Sequence, residues 1–153
     1  IAITAIEQLT WLDSETQLLG VSAFPTFTER ELLEIATPPN TTKETLERTQ
    51  TLFLQLGKQF SIVQDRVGMV LPRILCQLVN EAFFALQEEI ATPEAIDIAM
   101  KLGTNYPMGP IEWGEKIGYE NVVAVLSALH KELGDDRYRI SPLLRQVAFE
   151  NRK

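Results

Sequence analysis

Apolar positions recur in short, turn-bounded runs over the first third of the chain and at helical spacing over the remainder. "TAIEQLTWL" predicts a short helix with Ile6, Leu9 and Leu12 on one face. "TQLLGVSAF" and "RELLEIAT" predict two strands. Pro38 and Pro39 break the second strand, and Thr41 or Thr42 can cap the next element. That element is a helix with Leu46, Phe53 and Leu56 on one side, running to a C-terminal Gly57. "QFSIVQD" predicts a last short strand. From Gly68 onward the pattern is helical throughout.

"DRVGMVLPRILCQLVNEAFFAL" opens that part and predicts one helix from Gly68 to about Ile90. Leu71, Leu75, Leu78, Ala82 and Leu86 make one apolar stripe, and Cys76, Val79, Phe83 and Ile90 make another. Arg73, Gln77, Glu81 and Glu88 leave a narrow polar seam. A helix apolar on two sides is expected to be central, with others around it. Pro72 has no N–H to give an intrahelical bond, but in the first turn that N–H would lack a partner anyway.

"ATPEAIDIAMKLG" has Thr92 as cap, Pro93 in the first turn, Glu94 early and Gly103 to close the end. "NYPMGP" predicts a loop, "IEWGEKIG" a short helix, and "YENVVAVLSALHKELG" a longer one with Val122, Val125, Leu126 and Leu129 inward. A turn at Ser141–Pro142 precedes a last helix. The composition shift near Gly68 is the only boundary signal; the chain reads as residues 1–64 and 65–153.

Composition narrows the function classes. Hydrophobic residues make 45% and charged residues 23% of 153, an ordinary globular balance. Fourteen Lys and Arg against 21 Asp and Glu give −7, which argues against a nucleic-acid footprint. Arg137, Arg139, Arg145 and Arg152 are the local exception, read as a solvated face or as a seat for an anionic ligand. No apolar stretch reaches the roughly 20 residues of a membrane span. The single Cys76 excludes an internal disulfide, suits a reducing cytoplasm, and reads as an inert packed thiol. "IAITAIEQL" reads as the start of a cut chain, with no signal-peptide pattern.

Standard chemical signatures are sparse. The chain has no glycine-rich phosphate loop, no metal-ligand spacing and no G-x-S-x-G. His130, the one histidine, reads as a surface residue within a helix. Glu81 reads as a solvated or intrahelically paired acid, with a buried acid as the alternative.

"LGTNYPMGPIEWGEKIG" with "NEAFFALQEEIATPEAIDIAMK" before it and "LGDDRYRISPLLRQ" after it closely resembles the C-terminal domain of 3-hydroxyacyl-CoA dehydrogenases. The resemblance spans essentially the whole chain. It implies a mainly α fold: a helical domain like the 6-phosphogluconate dehydrogenase C-terminal domain, preceded by the last strands and helix of a Rossmann-type domain. It also implies NAD-dependent oxidation of 3-hydroxyacyl-CoA, a reaction of fatty-acid β-oxidation. The acyl-CoA would lie near the loop Tyr106, Pro107, Met108, Gly109 and Pro110, and pairing into a homodimer would run through the helical domain. NAD would be held by a nucleotide-binding part upstream of Ile1, where the family's glycine loop and substrate-orienting serine would lie.

Two positions depart from the family pattern. Ser22 in "GVSAFPTF" stands where the family has its general-base histidine. Pro72 stands where the family has an asparagine that helps hold the acyl-CoA carbonyl. Glu34 matches the glutamate that orients the histidine, and is otherwise a plain strand-end acid. The resemblance therefore also admits a catalytically degenerate member that dimerises or binds acyl-CoA.

Overall fold

The computed structural model describes residues 2–3, 5–12, 18–22 and 31–151. The chain forms two compact units, Ile1–Pro72 and Arg73–Lys153. The chain is mainly α.

The first unit is a four-stranded sheet ordered β1-β2-β3-β4: Ala2–Ile3, Gly20–Val21, Leu32–Thr37 and Gln59–Gln64. β1 runs parallel to β2, and β2 antiparallel to β3. β3 runs parallel to β4, with Leu33 opposite Phe60 and Ile35 opposite Ile62. A parallel pair needs a crossover, and helix α2, Lys43–Gln55, supplies it. Thr42 caps α2 by accepting from the Thr45 N–H at 3.2 Å, and Gly57 (φ +68) closes the end in the left-handed region.

Strand alternation places Leu33 and Ile35 against Leu19, Val21 and Phe53 in one core cluster. Ala36, on the other face, packs with Leu9 and Met69. The helix predicted from "TAIEQLTWL" is a single turn, α1, Leu9–Leu12. Asp65 holds that turn, its carboxylate accepting from the Leu9 and Thr10 N–H groups at 2.9 Å each. Ile6 and Leu56, each predicted on the apolar side of a helix, are exposed. Ile6 precedes the turn and Leu56 follows the last residue of α2, so helical periodicity does not place either of them. Thr16, Gln17, Ala23 and Phe24 of the predicted strand lie outside the described residues, as do Pro25, Thr26 and Arg152.

The second unit contains most of α3, Leu71–Gln87, followed by α4, Pro93–Thr104, and α5, Pro110–Ile117. Then come α6, Tyr119–Leu133, a 3-10 turn at Asp136–Tyr138, and α7, Pro142–Glu150. Cys76, Val79 and Phe83 are buried, as are Val122, Val125, Leu126 and Leu129 of α6, which matches their predicted faces. Fully burying such a side chain stabilises by about 1.5–3 kcal/mol.

Two predicted helix ends move. α3 starts later than Gly68, because Gly68 (φ +78) and Met69 (φ +45) lie in the left-handed region. It also stops before Ile90. Glu89 (φ +55) reverses the chain, its N–H bonding to the Leu86 carbonyl and that of Ile90 to Ala85. This is a Schellman-type stop without the usual glycine, and it leaves Ile90 69% exposed. Likewise Gly103 lies inside α4, and Asn105 (φ +56) closes the helix two residues later.

Candidate functional site

Ser22 and Glu34 meet across the β2–β3 pair. The register of Val21 with Ile35 continues into Ser22, whose N–H donates to the Glu34 carbonyl at 3.4 Å. Residues directly opposed in an antiparallel pair share a sheet face. That face carries the buried Ser22 and the half-buried Glu34, and is opposite the face of the Leu33 and Ile35 core.

Both carboxylate oxygens of Glu34 are engaged. Oε2 accepts from the Val70 N–H at 3.2 Å, and Oε1 from the Leu71 N–H at 2.8 Å. Leu71 is the first residue of α3, so Glu34 takes up N–H groups that have no intrahelical partner. An acid is favoured at such an end by the helix dipole. Pro72, fully buried, is the second helical residue, where its missing N–H breaks no bond. Three of the predicted site residues thus lie together around the start of α3.

Their chemistry is limited by residue type. Glu34 can orient a donor, but the residue facing it is a serine, whose hydroxyl has no basicity near neutral pH without a partner base. The single histidine, His130, is an exposed residue of α6. Pro72 donates nothing. Among the described residues no group of His, Cys, Asp and Glu is arranged to hold a metal ion.

Of the remaining predicted residues, Tyr106 to Gly109 lie in the loop between α4 and α5, and Pro110, predicted as loop, is instead the first residue of α5, where a missing N–H breaks no helical bond. Tyr106 packs on Trp113 with ring centroids 5.3 Å apart. Asp97 of α4 accepts from the Ile111 and Glu112 N–H groups at 2.8 and 3.1 Å. Glu112 turns back to accept from the Gly109 N–H at 3.0 Å and from Lys101 Nζ at 2.8 Å. The Lys101 bond first, and the Gly109 bond second, hold the Glu112 carboxyl below the usual carboxylate range. A Cβ on Gly109 would collide with the Asp97 carboxyl group, so only glycine fits there. With three N–H groups of this turn already bonded, the loop offers a ligand mainly the half-buried Tyr106 and Met108 and the exposed Pro107.

Sequence reasoning missed two polar residues that fix this unit. Asn80, fully buried in α3, donates to the Arg139 carbonyl and accepts from the Ser141 N–H, both at 2.9 Å. Its signal was available: position 80 falls four residues after Cys76 and three before Phe83, on the inward stripe. Asp97 is the second; nothing in its spacing marks it as the cap of another helix.

The profile of the 3-hydroxyacyl-CoA dehydrogenase C-terminal domain matches residues 68–153. The chain belongs to the 3-hydroxyacyl-CoA dehydrogenase family. It is 35% identical over 144 residues to a 3-hydroxybutyryl-CoA dehydrogenase of Bradyrhizobium diazoefficiens, covering 94% of this chain and 48% of the relative. It is 39% identical over 131 residues to a probable 3-hydroxybutyryl-CoA dehydrogenase of Deinococcus radiodurans, covering 86% and 47%. The crystal structure of (S)-3-hydroxybutyryl-CoA dehydrogenase from Ralstonia eutropha superimposes with a TM-score of 0.84 at 34% identity, covering 99% of this chain and 54% of that one. The chain thus spans about half the length of these family members. Among the described residues no helix is long and apolar enough to cross a membrane.

Proposed function

We propose that this chain is the C-terminal part of an NAD-dependent 3-hydroxyacyl-CoA dehydrogenase that oxidises 3-hydroxyacyl-CoA to 3-oxoacyl-CoA. Residues 1–64 complete the nucleotide-binding domain and residues 65–153 form the helical domain, which supplies substrate-cleft and homodimer surfaces. The observation that carries this reading is the similarity to 3-hydroxybutyryl-CoA dehydrogenases along 94% of the chain. The residues present do not fit NAD itself, because none of the eight glycines falls in a G-x-G-x-x-G pattern that would cradle a pyrophosphate. NAD is therefore assigned to a part of the protein outside this chain. The Tyr106–Pro110 loop is assigned to the acyl-CoA, and the cytoplasm is the compartment proposed.

A second reading is favoured by one specific observation: Glu34, which matches the glutamate of the family pattern, faces Ser22 and caps a helix start that contains Pro72. This is the arrangement of a degenerate member that keeps the scaffold as a dimerising or acyl-CoA-binding module. A positioned general base contributes about 10²–10⁴ in rate. The full-length protein is therefore expected to oxidise NADH with acetoacetyl-CoA at least about a hundredfold more slowly than an intact family member. The double change Ser22→His with Pro72→Asn should raise the rate more than Ser22→His alone. Ordinary turnover by the unaltered protein would show that another residue supplies the base, and would remove the second reading. No turnover in either form, with acyl-CoA binding retained, would remove the first.

A further inference from the structure

A cavity of about 280 Å³ opens in the second unit and is lined by Ser127, His130, Lys131, Tyr138, Arg139, Ile140 and Arg145. Three of these residues are basic, Lys131, Arg139 and Arg145, and one is an imidazole; none is a carboxylate. In a chain of net charge −7, that is a local inversion of sign.

The cationic residues of the lining come from different elements. His130 and Lys131 lie in the last turn of α6, where positive charge offsets the unpaired carbonyls of the helix end. Arg139 follows the 3-10 turn, and Arg145 lies on α7, so the end of α6 does not account for them. Arg139 is held with its guanidinium 5.0 Å from the centroid of the Phe84 ring. Among the described residues neither Lys131 nor Arg145 has an ion-pair partner. Buried Tyr138 and Ile140 give the cavity an apolar floor.

We propose that this cavity binds a small organic phosphate. A single carboxylate would be satisfied by one guanidinium fork. Two guanidinium groups, an ammonium and the Ser127 hydroxyl match the higher charge and three acceptor oxygens of a phosphate monoester. A cavity this large takes more than a bare phosphate, and Tyr138 and Ile140 receive the organic part. The site lies apart from Ser22, Glu34 and the Tyr106–Pro110 loop in sequence and does not depend on the catalytic reading.

Calorimetric titration of the chain with phenyl phosphate at low ionic strength tests the assignment, with inorganic phosphate and benzoate as companions. Saturable binding is expected, tighter for phenyl phosphate than for either companion and weakened by added salt. Arg139→Gln, Arg145→Gln and Lys131→Gln should each weaken it about tenfold, since each removes a charge-assisted contact. Lys116→Gln, at an exposed cation outside the cavity, should leave it unchanged. Circular dichroism checks that each variant is folded, and because Lys131 and Arg145 are exposed at least those two should be. Absence of saturable binding at millimolar phenyl phosphate would overturn the proposal. So would benzoate binding as tightly, or an equal loss in Lys116→Gln.

Discussion

Replacing Asn80 with alanine should be among the most damaging single changes in the helical unit. The Asn80 carboxamide ties α3 to the segment between the 3-10 turn and α7 through two bonds of 2.9 Å. Its loss strands the Ser141 N–H, which is buried, at about 1–3 kcal/mol. The Arg139 carbonyl is only partly buried. Water can reach it, so its loss adds about 0.5–1.5 kcal/mol, the net worth of an ordinary hydrogen bond. The vacated volume adds a smaller cavity cost, and relief from desolvating the amide offsets part of the sum. The net expectation is about 2–4 kcal/mol, or a melting shift on the order of 10–30 °C for a unit of this size. Chemical denaturation followed by far-ultraviolet circular dichroism measures it. Asn80→Asp supplies an internal check. It keeps the acceptor for Ser141 but turns an oxygen towards the Arg139 carbonyl, so the folded state should hold the proton above the ordinary aspartate value of about 3.9. A raised folded pKa gives stability that is present below the unfolded pKa and is lost as pH rises through the folded one. The deficit of Asn80→Asp relative to the parent should therefore shrink on acidification, while that of Asn80→Ala should not. A loss below about 1 kcal/mol for Asn80→Ala, or a pH-independent deficit for Asn80→Asp, would refute the reasoning.

Two further outcomes follow from buried groups. Gly109→Ala should destabilise by about 1–3 kcal/mol, because the new methyl meets the Asp97 carboxyl and displaces the cap of α5. In an Asp97→Ala background the same change should cost less, and strict additivity in the thermal melts would count against the clash. Burial raises the Cys76 thiol from 9.0 to about 12. Iodoacetamide should therefore label it only after unfolding, and rapid labelling of the native protein would contradict its placement. Because the folded state keeps the proton, the stability linked to this group is present below the unfolded value of 9.0 and declines as pH rises above it, on the order of 1 kcal/mol per pH unit. Cys76→Val should remove that alkaline decline, and an unchanged alkaline slope in the variant would assign it to another group.

The sequence by itself determined the elements whose signals are local. The spacing of Val122, Val125, Leu126 and Leu129 fixes the inward face of α6, and Thr92 fixes the start of α4 through its own hydroxyl. The motif order from "NEAFFALQEE" to "DDRYRISPLLRQ" was enough to point to the family. What the sequence could not decide is what depends on partners distant along the chain. The stop of α3 rests on a glutamate in the left-handed region, and that of α4 on an asparagine, where propensity alone favours the nearby glycine or no stop at all. Asp65, Asp97 and Asn80 look like ordinary polar residues until folding sets them beside N–H groups 14 to 61 positions away. Glu34 shows the division most plainly. The resemblance to the family implies an orienter of a histidine, yet only the register of β2 on β3 sets Glu34 opposite Ser22. Only the approach of Val70 and Leu71 gives its carboxylate a helix start to hold. A carboxylate is placed by whatever donors surround it in space, and those donors are fixed by tertiary packing.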